Sequence, residues 1–309
     1  MARCDVGMTV AEAVVMEIRA GMQGQVVVGA LPSLLFTHGH LYFVARLPQR
    51  RNVIPFAIHN TYQYSGNPGK RHRFREEHLW VDSPSYHRDG LFFAMETAPP
   101  AHLIRPHASL AVEKGGTPHA HLALLQWHVD TVRVGLAIAS ILGRTLIMPK
   151  LPCTCDRWFN LLPNCSTGEV QLPFNCPMDH VFLLQNFERA NIEFREHSFL
   201  SNPRTPEDVR SNSTLIEVKN AWSGHSVKDG VVTLKERLSD VELREALQPY
   251  HASKVLIIRK GIEKLFRGFE QNALTDQFNN KMRDLTHSWC CRRNGTVDHP
   301  MAKLPYLSP

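Results

Sequence analysis

The sequence lacks the long apolar run that a membrane-spanning helix needs. Such a span takes roughly 20 predominantly apolar residues, whereas the longest uncharged apolar stretch in this chain of 309 residues is 134–142. The N-terminus also lacks the apolar core and small-residue cleavage site of a signal peptide. No internal repeat or low-complexity tract is present. With 43% hydrophobic and 21% charged residues, the composition excludes a disordered chain, a collagen-like repeat and a small disulfide-stapled protein.

The charge of the chain is modestly positive. Lys and Arg number 35 against 29 Asp and Glu, which gives a formal net charge of +6, and 17 His residues add to it below neutral pH. This balance favours anionic ligands. It admits nucleotides, nucleic acid or an acidic surface without choosing among them.

Seven cysteines are present, and four of them fall in one Pro- and Asn-rich stretch. Such clustering is typical of disulfides in an oxidising compartment or of a metal site. The first pair is spaced C-x-C, whereas zinc sites usually begin with C-x2-C. The sequence therefore leaves both interpretations open for Cys153, Cys155, Cys165 and Cys176.

The first half of the chain carries alternating helical and strand-like patterns. Its clearest helix is predicted over about 118–142, because apolar residues recur on one face and Gly143 can end it. An apolar strand follows at 145–148. An earlier helix is predicted over 10–22, and earlier strands over 41–45 and 52–58.

The second half continues in the same way. Strands are predicted over 214–218, 231–234 and 254–258. Ser239 and Glu242 form the sequence pattern of a capping box that opens a helix, and a final helix or pair of helices is predicted over 262–285. This alternation predicts an α/β fold.

A basic turn is the segment richest in chemical implication. It contains Gly66, Pro68 and Gly69, follows a strand that ends at His59, and leads into the cations of 70–75. Bare backbone N–H groups beside fixed cations suit a phosphate or diphosphate. The alternatives are a solvated basic turn that opens a helix, and a nucleic-acid surface on which Tyr62, Tyr64 and Phe74 stack.

Several long segments, in one order, resemble plant and algal glycosyltransferase family 77. They are THGHLYFV (37–44), AIHNTYQYSG (57–66), GKRHR (69–73), GRTLIMPKLPC (143–153) with Asp156-Arg157-Trp158 after it, and LPFNCPMDHVF (172–182). The family includes arabinosyltransferases of the reduced-residual-arabinose type, xylosyltransferases and related nucleotide-diphospho-sugar transferases.

The resemblance implies a retaining transferase of the Golgi lumen with a GT-A (Rossmann-like) fold. Its donor would be a UDP-sugar carrying a pentose, such as arabinose or xylose, or galactose, and its acceptor a hydroxyproline-rich glycoprotein or a cell-wall glycan. Nucleic acid is not an expected partner. The family binds Mn²⁺ or Mg²⁺ through an Asp-x-Asp motif that lies N-terminal to the segment at 37–44. No two aspartates in this chain are spaced i, i+2, so we expect the chain to begin after that motif and after the membrane anchor.

The resemblance also implies roles for individual residues. By analogy with metal-dependent GT-A enzymes, His59 would complete the metal site, although a strand-end histidine bonded to backbone is the alternative. The turn with Gly66, Gly69 and Lys70 would hold the diphosphate. Lys70, together with Arg71 or Arg73, would neutralise the departing UDP. His38 and His40 would line the donor pocket unless they are simply solvated.

Further expectations concern the acceptor and the domains. Asp156, Asp179 and His180 are candidates for the acceptor side, with structural roles as the alternative. In a Golgi lumen the four clustered cysteines would form disulfides. We expect the C-terminal part of a GT-A-like domain over 1–100 and an α/β C-terminal region over 118–309 with its Cys-rich loop at 152–177. The alternative function is a non-catalytic basic module for RNA or acidic polysaccharide on a decayed transferase scaffold.

Overall fold

A computed structural model describes residues 29–104, 118–154, 170–219, 226–283 and 285. The chain divides into two compact units. The first comprises residues 1–42 and 46–62, and the second comprises 43–45 and 63–309. The helix predicted over 10–22 lies outside the described residues.

The first unit is built on a pair of parallel strands. Strand β1 (Phe36–His38) pairs with β2 (Ala57–His59), and the register places His38 opposite His59. A short helix, α1 (Leu47–Arg50), lies between them in the chain. The strand predicted over 52–58 is thus confirmed only at its C-terminal end.

The strand predicted over 41–45 is wrong. Residues His40–Val44 form a π-helix instead. The backbone passes so close to residue 61 that a Cβ at Gly39 would collide with the Thr61 carbonyl oxygen. The prediction failed because a short apolar run cannot distinguish a strand from a helix by periodicity alone.

A seven-stranded sheet forms the centre of the second unit. The strand order is β7-β4-β3-β12-β8-β10-β9, and all neighbours are parallel except β9, which is antiparallel to β10. Its strands are β3 (Phe92–Met95), β4 (Thr145–Ile147), β7 (Phe194–Arg195), β8 (Ser213–Lys219), β9 (Ser226–Lys228), β10 (Val231–Lys235) and β12 (Val255–Lys260). The predictions over 145–148, 214–218, 231–234 and 254–258 are confirmed, and the α/β class with them.

Two smaller sheets complete the strands of the second unit. Strand β5 (Pro152–Cys153) pairs antiparallel with β6 (Phe174–Asn175), and β11 (Leu238–Ser239) pairs parallel with β13 (Phe266–Gly268).

The second unit also contains helices, some of which pack on the central sheet. They are α2 (Gly66–Glu76), α3 (Pro84–Arg88), α4 (Ala101–Ile104), α5 (Pro118–Ile141), α6 (Leu184–Arg189), α7 (Glu207–Ser211), α8 (Asp240–Leu247), α9 (Ile262–Leu265) and α10 (Asn272–Arg283). No helix in the described part of the chain is both long and apolar enough to cross a membrane.

The longest helix and the capped helix follow their sequence signals. Helix α5 ends shortly before Gly143, whose φ of 62° suits glycine. Its predicted apolar face is buried at Leu125, Val129 and Val132. At α8 the Ser239 side chain accepts from the Glu242 amide, and the Glu242 carboxylate accepts from the Ser239 amide, so the capping box is confirmed.

The central sheet takes strands from both sides of the domain boundary expected near residues 100–118. Strand β3 precedes that boundary, yet it lies between β4 and β12, which follow it. Arg144 adds a second link across this boundary, because its guanidinium Nη1 donates to the carbonyl of Phe92 in β3 at 3.2 Å. The division into domains at 1–100 and 118–309 stays a prediction.

Candidate functional site

The predicted phosphate-binding turn is the first turn of helix α2. Gly66 begins the helix with a φ of 58° and is exposed, as is Asn67. Ser65, just before it, is fully buried and anchors the turn, since its hydroxyl donates to the Phe182 carbonyl and accepts from the Leu184 amide, each at 3.1 Å. The exposed start of α2 is therefore held in place by the segment that leads into α6.

Gly69 is not placed to bind a phosphate, because neither the residue nor its amide group is open to a ligand. It is buried, and its amide donates to the Ser65 carbonyl at 3.2 Å, so that N–H is used inside the helix. A Cβ at this position would stand 3.0 Å from Gln63 Oε1 and from Ser65 Cβ. Close packing, rather than approach of an anion, accounts for the glycine.

Arg73 and Asp179 form a fully buried ion pair. Arg73 Nε donates to Asp179 Oδ1 at 2.8 Å, and both side chains are 0% exposed. The other oxygen of Asp179 accepts from the Tyr64 amide at 2.9 Å. In this geometry Arg73 does not face solvent as a ligand for UDP, and Asp179 is not accessible to an acceptor. The pair instead fixes α2 and the residues before it against the segment around 179.

The other acceptor-side candidates are placed differently. His180 is 6% exposed, and its ring lies against Tyr64, with centroids 5.0 Å apart, and Phe174. Asp156, with Arg157 and Trp158, lies outside the described residues.

Arg71 lies on a different face of α2 and lines a cavity of about 240 Å³. We call it the guanidinium cavity, because Arg71, Arg75 and Arg195 all line it, together with Tyr86, Glu188 and Glu193. It lies between α2, α6 and β7. Arg71 forms an ion pair with Glu188 across this space.

Tyr86 contacts two of these guanidinium groups through its ring. The Cζ atoms of Arg75 and Arg195 lie 4.4 and 4.1 Å from the centroid of its ring, within cation–π range. Its hydroxyl donates to Glu196 Oε2 at 2.7 Å. Burial and the neighbouring Glu196 carboxylate raise the pKa of Tyr86, so the phenol remains neutral.

The sequence interpretation missed Tyr86, Glu188 and Arg195. Glu188 and Arg195 lie far from Arg71 and Arg75 in the chain, Tyr86 lies on the next helix along the chain, and no spacing motif joins the three residues to the basic run. One signal was present, because Arg71 and Arg75 are spaced i, i+4 and share one helix face, whereas Arg73 faces away from them. The helical periodicity of the basic run therefore predicts that Arg71 and Arg75 have different surroundings from Arg73.

Three histidines lie in the first unit. The His38 ring lies 5.0 Å from the Tyr62 ring and 6.2 Å from the His40 ring. Burial, and then the charge of His40, lower the pKa of His38, which favours its neutral form. His59 is exposed at the end of β2.

The described residues do not fit a divalent metal ion. They contain no group of three or more His, Cys, Asp or Glu side chains that could hold one. The sequence also has no acidic residue between Glu17 and Glu76, so no carboxylate near His59 in the chain can supply the oxygen ligands that Mn²⁺ and Mg²⁺ prefer.

A disulfide bond joins Cys153 in β5 to Cys176 in β6. The structure thus favours the disulfide interpretation over the metal site for these two cysteines. Cys155 and Cys165 lie outside the described residues.

Comparison with known proteins shows a similarity to a glycosyltransferase. No family model and no solved structure matches the chain. The chain is similar to arabinosyltransferase XEG113 of Arabidopsis thaliana, with 31% identity over 292 residues. The match covers 89% of this chain and 44% of that protein, so the chain spans less than half the length of this relative.

Proposed function

Because the chain resembles glycosyltransferase family 77 along most of its length, we propose that it functions in a glycosyltransferase that modifies cell-wall glycoproteins. The observation that carries this proposal is the 31% identity to an arabinosyltransferase over 89% of the chain. We further propose a UDP-sugar donor carrying arabinose, xylose or galactose, a hydroxyproline-rich glycoprotein acceptor, transfer with retention and a GT-A-like fold.

Within the described residues, the exposed start of α2 is the proposed contact for the leaving diphosphate. Gly66 and Asn67 present amide groups at a helix N-terminus, where partial positive charge favours an anion. Lys70 follows in the next turn, and we assign to it the neutralisation of charge that develops on the departing UDP. No step is assigned to a divalent ion, since the described residues offer no ligand set for one.

The roles of the first-unit histidines stay predictions. His38 and His40 are proposed as donor contacts. His59 would act as a metal ligand only if carboxylates from outside the described residues joined it.

The disulfide supports the proposed compartment. Disulfides form and persist in oxidising compartments and are rare in the cytosol. The Cys153–Cys176 bond therefore agrees with a Golgi lumen, which we propose on the basis of the family resemblance.

A binding assay tests the donor assignment. We expect UDP and UDP-sugars to raise the melting temperature of the protein, and uridine to have little effect. Lys70→Ala should weaken UDP binding about tenfold, as expected for one lost charge-assisted hydrogen bond. The matched control is Lys228→Ala, at an exposed position in edge strand β9. Equal UDP affinity in wild type and Lys70→Ala would refute the assignment.

The same assay distinguishes the alternative of a non-catalytic basic module. The similarity to an arabinosyltransferase does not favour that alternative. A protein that ignores UDP-sugars, yet binds RNA or acidic polysaccharide in a strongly salt-dependent and sequence-indifferent way, would restore it.

A further inference from the structure

The guanidinium cavity combines a small volume with a cluster of fixed cations. Three arginines line a space of about 240 Å³. Arg71 and Arg75 come from one face of α2, and Arg195 comes from β7. The three cations are therefore supplied by one helix and one strand of the scaffold and do not depend on one loop.

Arg195 is the most constrained of the three. It is 8% exposed, and its Nε and Nη1 atoms donate to the carbonyls of Tyr86 (3.1 Å) and Phe194 (3.2 Å). Its one ion-pair partner among the described residues, Glu193, lies 3.9 Å away with a side chain that is 79% exposed. A cation removed from water needs compensation by a nearby anion, and Glu193 compensates it weakly.

Each guanidinium group keeps a nitrogen for a ligand. Arg75 uses Nε and Nη2 on Asp82, which leaves Nη1 with no hydrogen bond to the described residues. Arg195 likewise leaves Nη2, and Arg71 uses only Nη2, on Glu188. None of these remaining nitrogens is among the buried atoms that lack a partner, and all three arginines line the cavity. Three such donors around one small space match the several acceptor oxygens of a phosphate or carboxylate.

The carboxylates around the cavity repel an anion, but solvent screens the two that line it. Glu188 and Glu193 line it, but their side chains are 51% and 79% exposed. Asp82 and Glu196 belong to the surrounding network, where Asp82 binds Arg75 and Glu196 accepts from Tyr86. Glu188 occupies Arg71 in this structure, so it competes directly with a bound anion for that guanidinium group.

We propose that the guanidinium cavity is a binding site for one anionic group, a phosphate or a carboxylate. Its two possible sources, a phosphate of a nucleotide ligand or the carboxylate of an acidic sugar, rest on the proposed function. The binding of the anion itself does not.

The test measures binding of inorganic phosphate, UDP, uridine and galacturonate to the whole chain by calorimetry. Arg71→Gln should weaken phosphate binding about tenfold, because one charge-assisted donor is lost. Glu188→Gln should strengthen it about threefold, because the competing carboxylate is removed. Arg189→Gln is the matched control: this exposed arginine follows Glu188 in α6 and does not line the cavity. Arg195 is left intact, since it also holds two backbone carbonyls.

Opposite effects of Arg71→Gln and Glu188→Gln, with Arg189→Gln unchanged, support the site, because a merely structural ion pair would make both variants change in the same direction. Competition by UDP but not by uridine or galacturonate assigns the anion to the nucleotide, and competition by galacturonate alone assigns it to an acidic sugar. Absence of phosphate binding at millimolar concentrations, or equal effects of all three variants, overturns the proposal. The effect of Lys70→Ala on UDP binding tests only the proposed function, because Lys70 does not line the cavity.

Discussion

At the scale of single residues, Arg73 and Asp179 show how burial decides the role of a charge. The basic run from Lys70 to Arg75 is continuous in sequence, yet the structure separates its members. Arg73 is fully buried, and its Nη1 and Nη2 atoms have no hydrogen bond to the described residues. Such a group is stable only while its counter-ion is present, which makes Asp179 essential to the position of α2.

We therefore expect Asp179→Asn to destabilise the protein by about 3 kcal/mol, the cost of leaving a buried cation uncompensated. Urea unfolding at pH 7 measures the change. The matched control is Glu207→Gln, which breaks an ion pair between the exposed Glu207 and the half-buried Arg210 and should change the free energy of unfolding by less than about 0.5 kcal/mol. A loss below about 1 kcal/mol in Asp179→Asn would contradict the importance of the pair.

Sequence reasoning could identify the cations but not their partners. The residues of the basic run are consecutive, so composition singles them out. Asp179 lies 106 residues from Arg73, and Arg195 lies 109 residues from Tyr86. Pairings at this separation depend on the arrangement of the sheet, and no local pattern encodes it.

At the scale of elements, local signals were the most informative. The capping box at Ser239, the glycine after α5 and the alternating strands each depend on residues a few positions apart, and the structure confirms all of them. The strand prediction at 41–45 failed, since residues His40–Val44 form a π-helix and a short apolar run fits a helix as well as a strand.

The hydrogen bond between α5 and β5 leads us to expect that the stability of the protein depends on pH. His128 in α5 is buried, and its Nε2–H donates to the Pro152 carbonyl at 2.8 Å. Burial lowers the pKa of His128 to about 4, although this hydrogen bond raises it in part. The unfolded chain, with an ordinary histidine pKa near 6.5, binds the proton first as the pH falls.

Stability contributed by neutral His128 is therefore complete above about pH 6.5 and is lost as the pH falls toward 4, by up to about 1.4 kcal/mol per pH unit. Melting temperatures measured between pH 7.5 and 4.5 should fall less steeply in His128→Gln than in wild type. His102→Gln, at an exposed position in α4, provides the comparison and should follow the wild-type curve. Identical slopes for all three proteins would show that His128 does not control this transition.

At the scale of the whole molecule, the second unit is organised by one sheet. Its strands could be predicted singly, but their order could not, because a strand pattern carries no information about which neighbour it pairs with. The order places β3, early in the chain, beside β12, near its end. Phe92 and Phe93 of β3 are both 0% exposed, so this strand contributes to the core on both faces of the sheet.

The position of β3 between β4 and β12 allows a test of the domain boundary predicted at residues 100–118. A fragment of residues 118–309 lacks β3, so β4 and β12 lose their common partner, and Arg144 loses its hydrogen bond to the Phe92 carbonyl. We expect this fragment to unfold without a cooperative transition in urea, whereas residues 43–309, which retain all seven strands, should unfold cooperatively. A cooperative transition of equal midpoint in both fragments would mean that 118–309 folds independently, as the sequence alone predicts. Failure of the shorter fragment alone would place the boundary of the folding unit before β3.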